Sequence, residues 1–519
     1  MFNDIFMDLQ NGNDVRGSAI GTEKEKLTLT PDIAEFIAAG FLSFLTEKTG
    51  KTADKLSIGI GHDSRLTGEA IASAAAKGLG EASVYDCGMV STPAMFRSTV
   101  LKGTDFDAAI MITASHLPFN RNGMKFFTKE GGLEHDELTD VLRRALSEAE
   151  KYGSADSERI VSAGKYPVSC GKREKTDLVS LYCEAMREII INEVAAEDRE
   201  HPLKGLHIVV DAGNGAAGFF TDRILAPLGA DTSGSVFLDP DGTFPNHVPN
   251  PENPAAMDAI KKAVLDAKAD LGVIFDCDGD RGAVVFSDGT EVNRNTLIAL
   301  LSVIVAEREK NAVIVTDSVT SDELTDFLEN KLGLTHLRYK RGYKNVIDKG
   351  IELNREGKSC PLAIETSGHG AFRDNYFSDD GAYLSVMIIC RLARMKREGK
   401  ELSSLIADLK QPAEAREVRF TIVNDENDSR DYRQYGTDAL EAFNAFAGSD
   451  PRFNIVTPNY EGVRIAFDDE EVKGWLLLRK SLHDPVMPLN LESEKKGGTD
   501  IIYDRLAPFL SKWTRLIAK

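Results

Sequence analysis

Short apolar runs alternate with longer segments of helical spacing through most of the chain, the rhythm of βαβ units. Runs at 56–61, 82–86 and 107–113 read as strands, with a helix over about 68–80 between the first two. Residues 150–175 are charged and rich in Ser and Gly and read as a connector, and 174–195 has helical spacing. A second unit opens with the run 207–211 and closes with 269–275. A third begins near Glu291 and holds strands at 312–316 and 362–364. From about Ala413 the pattern changes: 418–422, 453–457, 462–467 and 474–478 read as strands, with helices near 436–446 and 498–516. Three α/β units and an α+β tail follow. The recurrence is one of architecture, with no fixed period in the residues themselves.

Composition narrows the function classes. A chain of 519 residues exceeds one core and suggests three or four domains at about 150 residues each. Its 42% hydrophobic content excludes global disorder. Lys+Arg 62 against Asp+Glu 82 gives a net charge of −20, which argues against general binding to nucleic acid or to an anionic membrane. A local basic pocket for a phosphorylated small molecule stays open. The cysteines (Cys87, Cys170, Cys183, Cys277, Cys360, Cys390) form no C-x-x-C pair, which suits a reducing compartment. Residues 1–17 hold Asp4, Asp8 and Asp14 and no basic-then-apolar segment, so no signal peptide is expected. No run approaches the ~20 apolar residues of a membrane span. The expectation is a cytoplasmic protein.

Four loops carry candidate chemistry. After the run 107–113, Ser115 and His116 enter a loop closed by Pro118, Asn120, Asn122 and Gly123. Loops at the C-terminal ends of parallel strands are where open α/β folds place their sites, and a serine there can act as a nucleophile. The bland alternative is a polar turn bonded to its own backbone. The second loop, Asp276-Cys277-Asp278-Gly279-Asp280-Arg281, follows an apolar run. Three carboxylates at alternate positions repel one another unless a hard cation such as Mg²⁺ or Mn²⁺ sits among them. An EF-hand is rejected, because Arg281 and Ser287 stand where Gly and Glu are needed. A phosphatase with Asp276 as nucleophile stays open. The third loop, Glu365-Thr366-Ser367-Gly368-His369, can bind sugar hydroxyls and move protons. The fourth, Arg479-Lys480-Ser481-Leu482-His483-Asp484-Pro485, offers guanidinium and hydroxyl donors to an anion.

Taken together, the four loops resemble the α-D-phosphohexomutases, the phosphoglucomutase/phosphomannomutase superfamily. Its serine loop, T-A-S-H-N-P with N-G-x-K, is matched at 113–118 and 122–125 with Leu117 in place of Asn, and its metal loop D-x-D-G-D-R is met in full. The sugar loop G-E-x-S-G-H is matched with Ile364 where Gly is usual. The phosphate loop R-x-S-x-T-E-P is matched loosely, since His483 and Asp484 replace Thr and Glu. Fainter echoes are Asp14-Val15-Arg16-Gly17, His62-Asp63-Ser64-Arg65, the stretch 241–251 and Arg341-Gly342-Tyr343-Lys344.

The resemblance implies three tandem α/β mixed-sheet domains followed by an α+β C-terminal domain, around a central cleft, with bounds 1–165, 166–290, 291–412 and 413–519. It implies a mutase that interconverts hexose 1-phosphate and hexose 6-phosphate, of glucose or mannose, through a phosphoserine at Ser115 and a hexose 1,6-bisphosphate. Mg²⁺ would be held by Asp276, Asp278, Asp280 and a phosphoserine oxygen of Ser115. Lys125, Arg281 and Arg16 would contact the phosphoryl group, with His369 or Lys125 as base and His116 as a positioning residue. Glu365 and Ser367 would read the sugar, while Lys344, Arg479 and Ser481 would bind the substrate, the last two gripping its far phosphate. Sugar phosphates are the expected partners. A sugar-phosphate phosphatase and a non-catalytic sugar-phosphate-binding protein are the rival readings.

Overall fold

The computed structural model describes residues 2–151, 173–426, 428–481 and 484–518. Most of the expected connector at 150–175, together with Cys170 and His483, lies outside the described residues. The chain divides into two compact units. One comprises Met1–Asn293 with Ser367–Ser403, the other Arg294–Thr366 with Ser404–Lys519.

The first unit opens with a mixed sheet. Ser57–His62 lies parallel to both Ser83–Met89 and Ala108–Ile112. Arg121–Thr128 then runs antiparallel to Ala108–Ile112 and to Asp14–Ser18. Helices Pro31–Thr49, Gly68–Gly78 and His135–Lys151 contribute to one buried apolar cluster with these strands. The first of them has a full set of end signals: the Thr30 hydroxyl accepts from Ile33 N–H at 3.2 Å, Pro31 starts the helix and left-handed Gly50 ends it.

The run 121–128 differs from the sequence reading, in which Asn122 and Gly123 help to close a loop. Both residues lie within a strand, and the serine loop ends before Arg121. Turn-type residues occur here because space demands them. A Cβ on Gly123 would sit 2.2 Å from the Val15 carbonyl and 2.7 Å from that of Thr113.

The second sheet of this unit is also mixed. Ile208–Asp211 pairs parallel with Leu271–Phe275, which pairs antiparallel with Gly282–Phe286. Every residue of Leu271–Phe275 is buried, because helix Pro254–Ala267 and helix Gly381–Arg397 both pack against this sheet. The latter helix is why Ser367–Ser403 belongs to the first unit.

The second unit holds three parallel strands, with Val313–Thr316 between Thr335–Arg338 and Leu362–Ile364. Its tail is an antiparallel sheet in the order Asn454–Ile455, Val463–Asp468, Lys473–Leu478, Val486–Ser493, Glu414–Ile422, Leu516–Ala518. Helices Tyr432–Gly448 and Gly498–Arg505 share its apolar core. Two elements depart from the pattern reading. Val486–Ser493 is a strand despite Pro488, and the helix expected over 498–516 splits into Gly498–Arg505 and Ala507–Leu510 before the strand Leu516–Ala518. Pro508 cannot donate to a continuing helix, so a new short one starts there. Among the described residues no helix is long and apolar enough to cross a membrane. Cys87, Cys183, Cys277, Cys360 and Cys390 are buried free thiols.

The Gly123→Ala substitution is expected to destabilise the first unit by ~1–3 kcal/mol, the usual cost of overpacking. Thermal and urea unfolding of the variant against the wild type checks this, and an unchanged midpoint would contradict the close approach.

Candidate active site

In the first unit the ends of two neighbouring sheets bring the serine loop and the acidic loop together. Ser115 has a left-handed backbone, φ 48°, and its side chain is buried. Its N–H donates to Thr113 Oγ1 at 2.8 Å, and its hydroxyl donates to Asp276 Oδ2 at 2.8 Å. The acidic loop is fastened on two further sides. Thr92 donates to Asp278 through its backbone N–H at 2.8 Å and through its hydroxyl to Oδ2 at 2.5 Å, while Ala216 N–H donates to the Cys277 carbonyl at 2.8 Å. Gly279, at φ 73°, supplies the turn that returns the chain toward Asp280.

Asp276, Asp278 and Asp280 are all buried, with oxygens within 4.8 Å of one another. Burial and the carboxylates of Asp280 and Asp278 hold the Asp276 carboxyl well above its usual range. At Asp278 burial pushes the same way, but the Lys125 ammonium and the Thr92 hydroxyl outweigh it and the pKa falls. Lys125 pairs with Asp280 Oδ2 and lies 3.3 Å from Asp278 Oδ2. Two oxygens, Asp278 Oδ1 and Asp280 Oδ1, are buried without a hydrogen-bond partner. Hard carboxylate donors, close together and aimed at no proton, fit a small divalent cation.

Arg281 links three elements. Its backbone N–H donates to Asp276 Oδ1 at 3.2 Å, its Nε donates to His369 Nε2 at 2.9 Å, and its Nη2 donates to His116 Nδ1 at 2.8 Å. A nitrogen that accepts from a guanidinium carries no proton. His369 is therefore fixed as the tautomer whose Nδ1–H faces Asp379 Oδ2 at 2.5 Å. Burial lowers the His369 pKa, but Asp379 overcomes it and the net direction is upward. His116 goes the other way, to about 2, through burial and the nearby guanidinium charges of Arg281 and Arg16. It is neutral at working pH. Its Nδ1 lies 3.3 Å from Ser115 Oγ, whose proton is directed at Asp276. Arg16 pairs with Asp14 at 2.8 Å and donates to the Thr113 carbonyl. Ser367 is buried in the same unit.

Glu365, Lys344, Arg479 and Ser481 belong to the second unit. Glu365 Oε1 accepts from Gly342 N–H at 2.6 Å, and Lys344 is paired with Asp348 at 2.5 Å. Arg479 is buried, its Nε has no hydrogen-bond partner, and burial and the Arg341 guanidinium lower its pKa. Lys480 turns to the Thr437 hydroxyl at 2.6 Å, and Asp484 N–H donates to Ser481 Oγ at 3.2 Å. Arg341 pairs with Asp317 at 3.5 Å, and its backbone N–H donates to Glu461 Oε2 at 3.2 Å.

Two contributors were not singled out from sequence, Thr92 and Asp379; Asp63 and Arg65, which buttress the serine loop, and Arg341 were read there only as fainter echoes of the family's motifs, with no role attached. The available signals were an Asp-x-Arg directly after the strand Ser57–His62 and an Asp-Asp-Gly at the start of an apolar helix.

Comparison with known proteins agrees with this architecture. Residues 7–153, 180–289 and 293–412 match the family models for the phosphoglucomutase/phosphomannomutase α/β/α domains I, II and III. A phosphomannomutase/phosphoglucomutase of Pseudomonas putida is 28% identical over 452 residues, covering 86% of each chain. A phosphomannomutase of Salmonella montevideo is 31% identical over 402 residues, covering 76% of this chain and 78% of its own. The crystal structure of a phosphoglucomutase/phosphomannomutase family protein from Burkholderia thailandensis superposes with a TM-score of 0.76 at 28% identity, over 99% of this chain and 98% of that one. Domain by domain and over its length, the chain belongs to the phosphoglucomutase/phosphomannomutase family, the α-D-phosphohexomutase superfamily.

Proposed function

We propose that the protein interconverts hexose 1-phosphate and hexose 6-phosphate, of glucose or mannose, with Ser115 as the phosphoryl carrier. The observation that carries this reading is the Ser115 hydroxyl, buried in a left-handed turn and bonded to Asp276 at the edge of a three-carboxylate cluster. In the forward half-reaction the Oγ–P bond of phosphorylated Ser115 breaks as a bond forms between phosphorus and the free sugar hydroxyl oxygen, whose proton passes to a base. The product is a hexose 1,6-bisphosphate, which also serves to prime the enzyme. After it turns round, its other phosphoryl group returns to Ser115 and the freed sugar oxygen takes back a proton.

Positioning and charge stabilisation dominate such transfers. Lys125 and Arg281 are the cations for the migrating group, with Arg16 behind them at the Thr113 carbonyl. His369 is the base. The support is its buried ring, the Asp379 carboxylate that raises its proton affinity, and an Nε2 that takes the sugar proton once Arg281 Nε turns from it to the phosphoryl group. His116, neutral and bonded to Arg281, orients that guanidinium. Asp276, Asp278 and Asp280 would hold Mg²⁺, which when bound neutralises charge on the phosphoserine. Glu365 and Ser367 are assigned to the sugar hydroxyls. Arg479 and Ser481 are assigned to the non-reacting phosphate, supported by the unpartnered Arg479 Nε. Arg341 joins them as a second cation. Lys344, turned to Asp348, stands further from this role.

The deciding assay follows mutase turnover of glucose 1-phosphate and mannose 1-phosphate with Mg²⁺ and a trace of hexose 1,6-bisphosphate. Turnover should require the bisphosphate and fall to background in Ser115→Ala; release of free phosphate unaffected by that change would favour the phosphatase instead. The Arg479→Ala change should raise KM roughly 10-fold or more and leave kcat within about threefold, as expected for loss of a charged hydrogen bond of ~1.5–3 kcal/mol that is equal in ground and transition states. A fall in kcat alone would remove Arg479 from the phosphate. Saturating Mg²⁺ at 100 times its Kd should stabilise the wild type by about 2.7 kcal/mol. In Asp278→Asn most of that gain in melting temperature should disappear, and an equal gain in both proteins would place the cation elsewhere.

A further inference from the structure

The serine loop is gripped by a side chain that the proposed chemistry does not use. Arg65 is 3% exposed, and its guanidinium converges on backbone carbonyls of the serine loop and of Arg121, the first residue of the strand after it. Nη1 donates to Pro118 at 2.8 Å and Arg121 at 2.9 Å, while Nη2 donates to Leu117 at 2.6 Å and to the carbonyl of Ser115 itself. Inward-facing loop carbonyls need donors, and only a guanidinium offers a rigid fork wide enough for four.

Arg65 is itself locked. Asp63 Oδ1 accepts its backbone N–H at 2.9 Å, and Asp63 Oδ2 lies 3.3 Å from its Nε, with both side chains wholly buried. The Phe244 ring covers the guanidinium at 5.2 Å. The same Asp63 Oδ2 accepts from the Cys277 thiol at 3.3 Å, and Cys277 lies between Asp276 and Asp278. One carboxylate therefore anchors the serine loop, through Arg65, and the acidic loop, through Cys277.

We propose that Arg65, held by Asp63, is a positioning residue that fixes the left-handed turn of Ser115 and so aims its hydroxyl at Asp276. The inference rests on the reading of Ser115 as phosphoryl carrier. A left-handed non-glycine residue carries backbone strain and persists only where its surroundings impose it. The Arg65 fork is what imposes it here. A misplacement of about 1 Å at a reacting atom can cost ~10²-fold in rate.

The test compares Arg65→Met, Arg65→Lys and Asp63→Asn with the wild type. The readouts are kcat, KM and the single-turnover rate at which glucose 1,6-bisphosphate phosphorylates Ser115, followed by mass spectrometry. In Arg65→Met, kcat and the phosphorylation rate should fall together by ~10–100-fold while KM stays within about threefold, and Arg65→Lys should recover part of the loss. If the Arg65 variants fail to fold, the nearly isosteric Asp63→Asn carries the test and should show a smaller loss of the same kind. A folded variant with lower melting temperature but unchanged kcat and phosphorylation rate overturns the proposal. Survival of turnover in Ser115→Ala would instead overturn the carrier reading, and it would be seen before any Arg65 variant is made.

Discussion

Three carboxylates withdrawn from water on one short loop are the constraint that organises the first unit. An unpaired buried charge costs several kcal/mol, so each must find a cation or donor or give up its charge. Asp276 takes the last course in part: its proton affinity rises, and it accepts hydrogen bonds from the Ser115 hydroxyl and the Arg281 backbone N–H. Asp278 and Asp280 are met by Thr92 and Lys125, which come from a helix start and a strand far away in sequence. The loop can be buried at all because the strand before it is enclosed by helices. Close approach then fixes small residues around it: a Cβ on Gly215 would lie 2.4 Å from the Cys277 carbonyl, and one on Gly381 the same distance from the carbonyl carbon of Arg281.

What the pattern of residues reveals is the half of this arrangement that is local. Alternating carboxylates after an apolar run, and a serine after another, identify the two loops, because side chains at strand ends lie where open α/β sheets expose them. The other half is long-range. Arg65 reads in sequence only as the end of a faint motif echo after a strand, with no role attached; its partners are the carbonyls of a loop some 50 positions on, which carry no side-chain signature. Asp379 is equally silent until the fold brings it to His369. The strand Arg121–Thr128 escaped for the opposite reason: its Asn122 and Gly123 are turn-type residues used for close packing. Val486–Ser493 was hidden by Pro485 before it and Pro488 within it, although the Pro488 carbonyl still serves the sheet by accepting the N–H of Arg479 at 3.1 Å.

The second unit solves the inverse problem, that of a buried cation. Arg479 has the Arg341 guanidinium beside it, and the two are compensated by Asp317, Glu461 and Glu417 at the level of charge. Those carboxylates are already engaged: Asp317 with Thr366 at 2.7 Å and with Arg341, and Glu461 with the Arg341 backbone and the Ser318 hydroxyl. Charge balance is thus achieved without a hydrogen bond to Arg479 Nε. A donor left over in this way is paired most economically by an incoming oxyanion, which adds negative charge where two guanidinium groups repel.

Asp484, an altered residue of the phosphate loop, can be weighed in the same terms. Turn geometry there comes from Ser481, whose hydroxyl oxygen accepts the Asp484 N–H and whose own N–H donates to the Val486 carbonyl at 2.8 Å. These bonds use the serine and the backbone, so the Asp484 side chain is not what shapes the turn. Gly462 is also part of the frame, since a Cβ there would meet the Leu478 carbonyl at 2.2 Å and Arg479 Cα at 2.9 Å. The place of Arg479 is therefore set by a glycine, a serine and a strand register, none of which uses the Asp484 side chain.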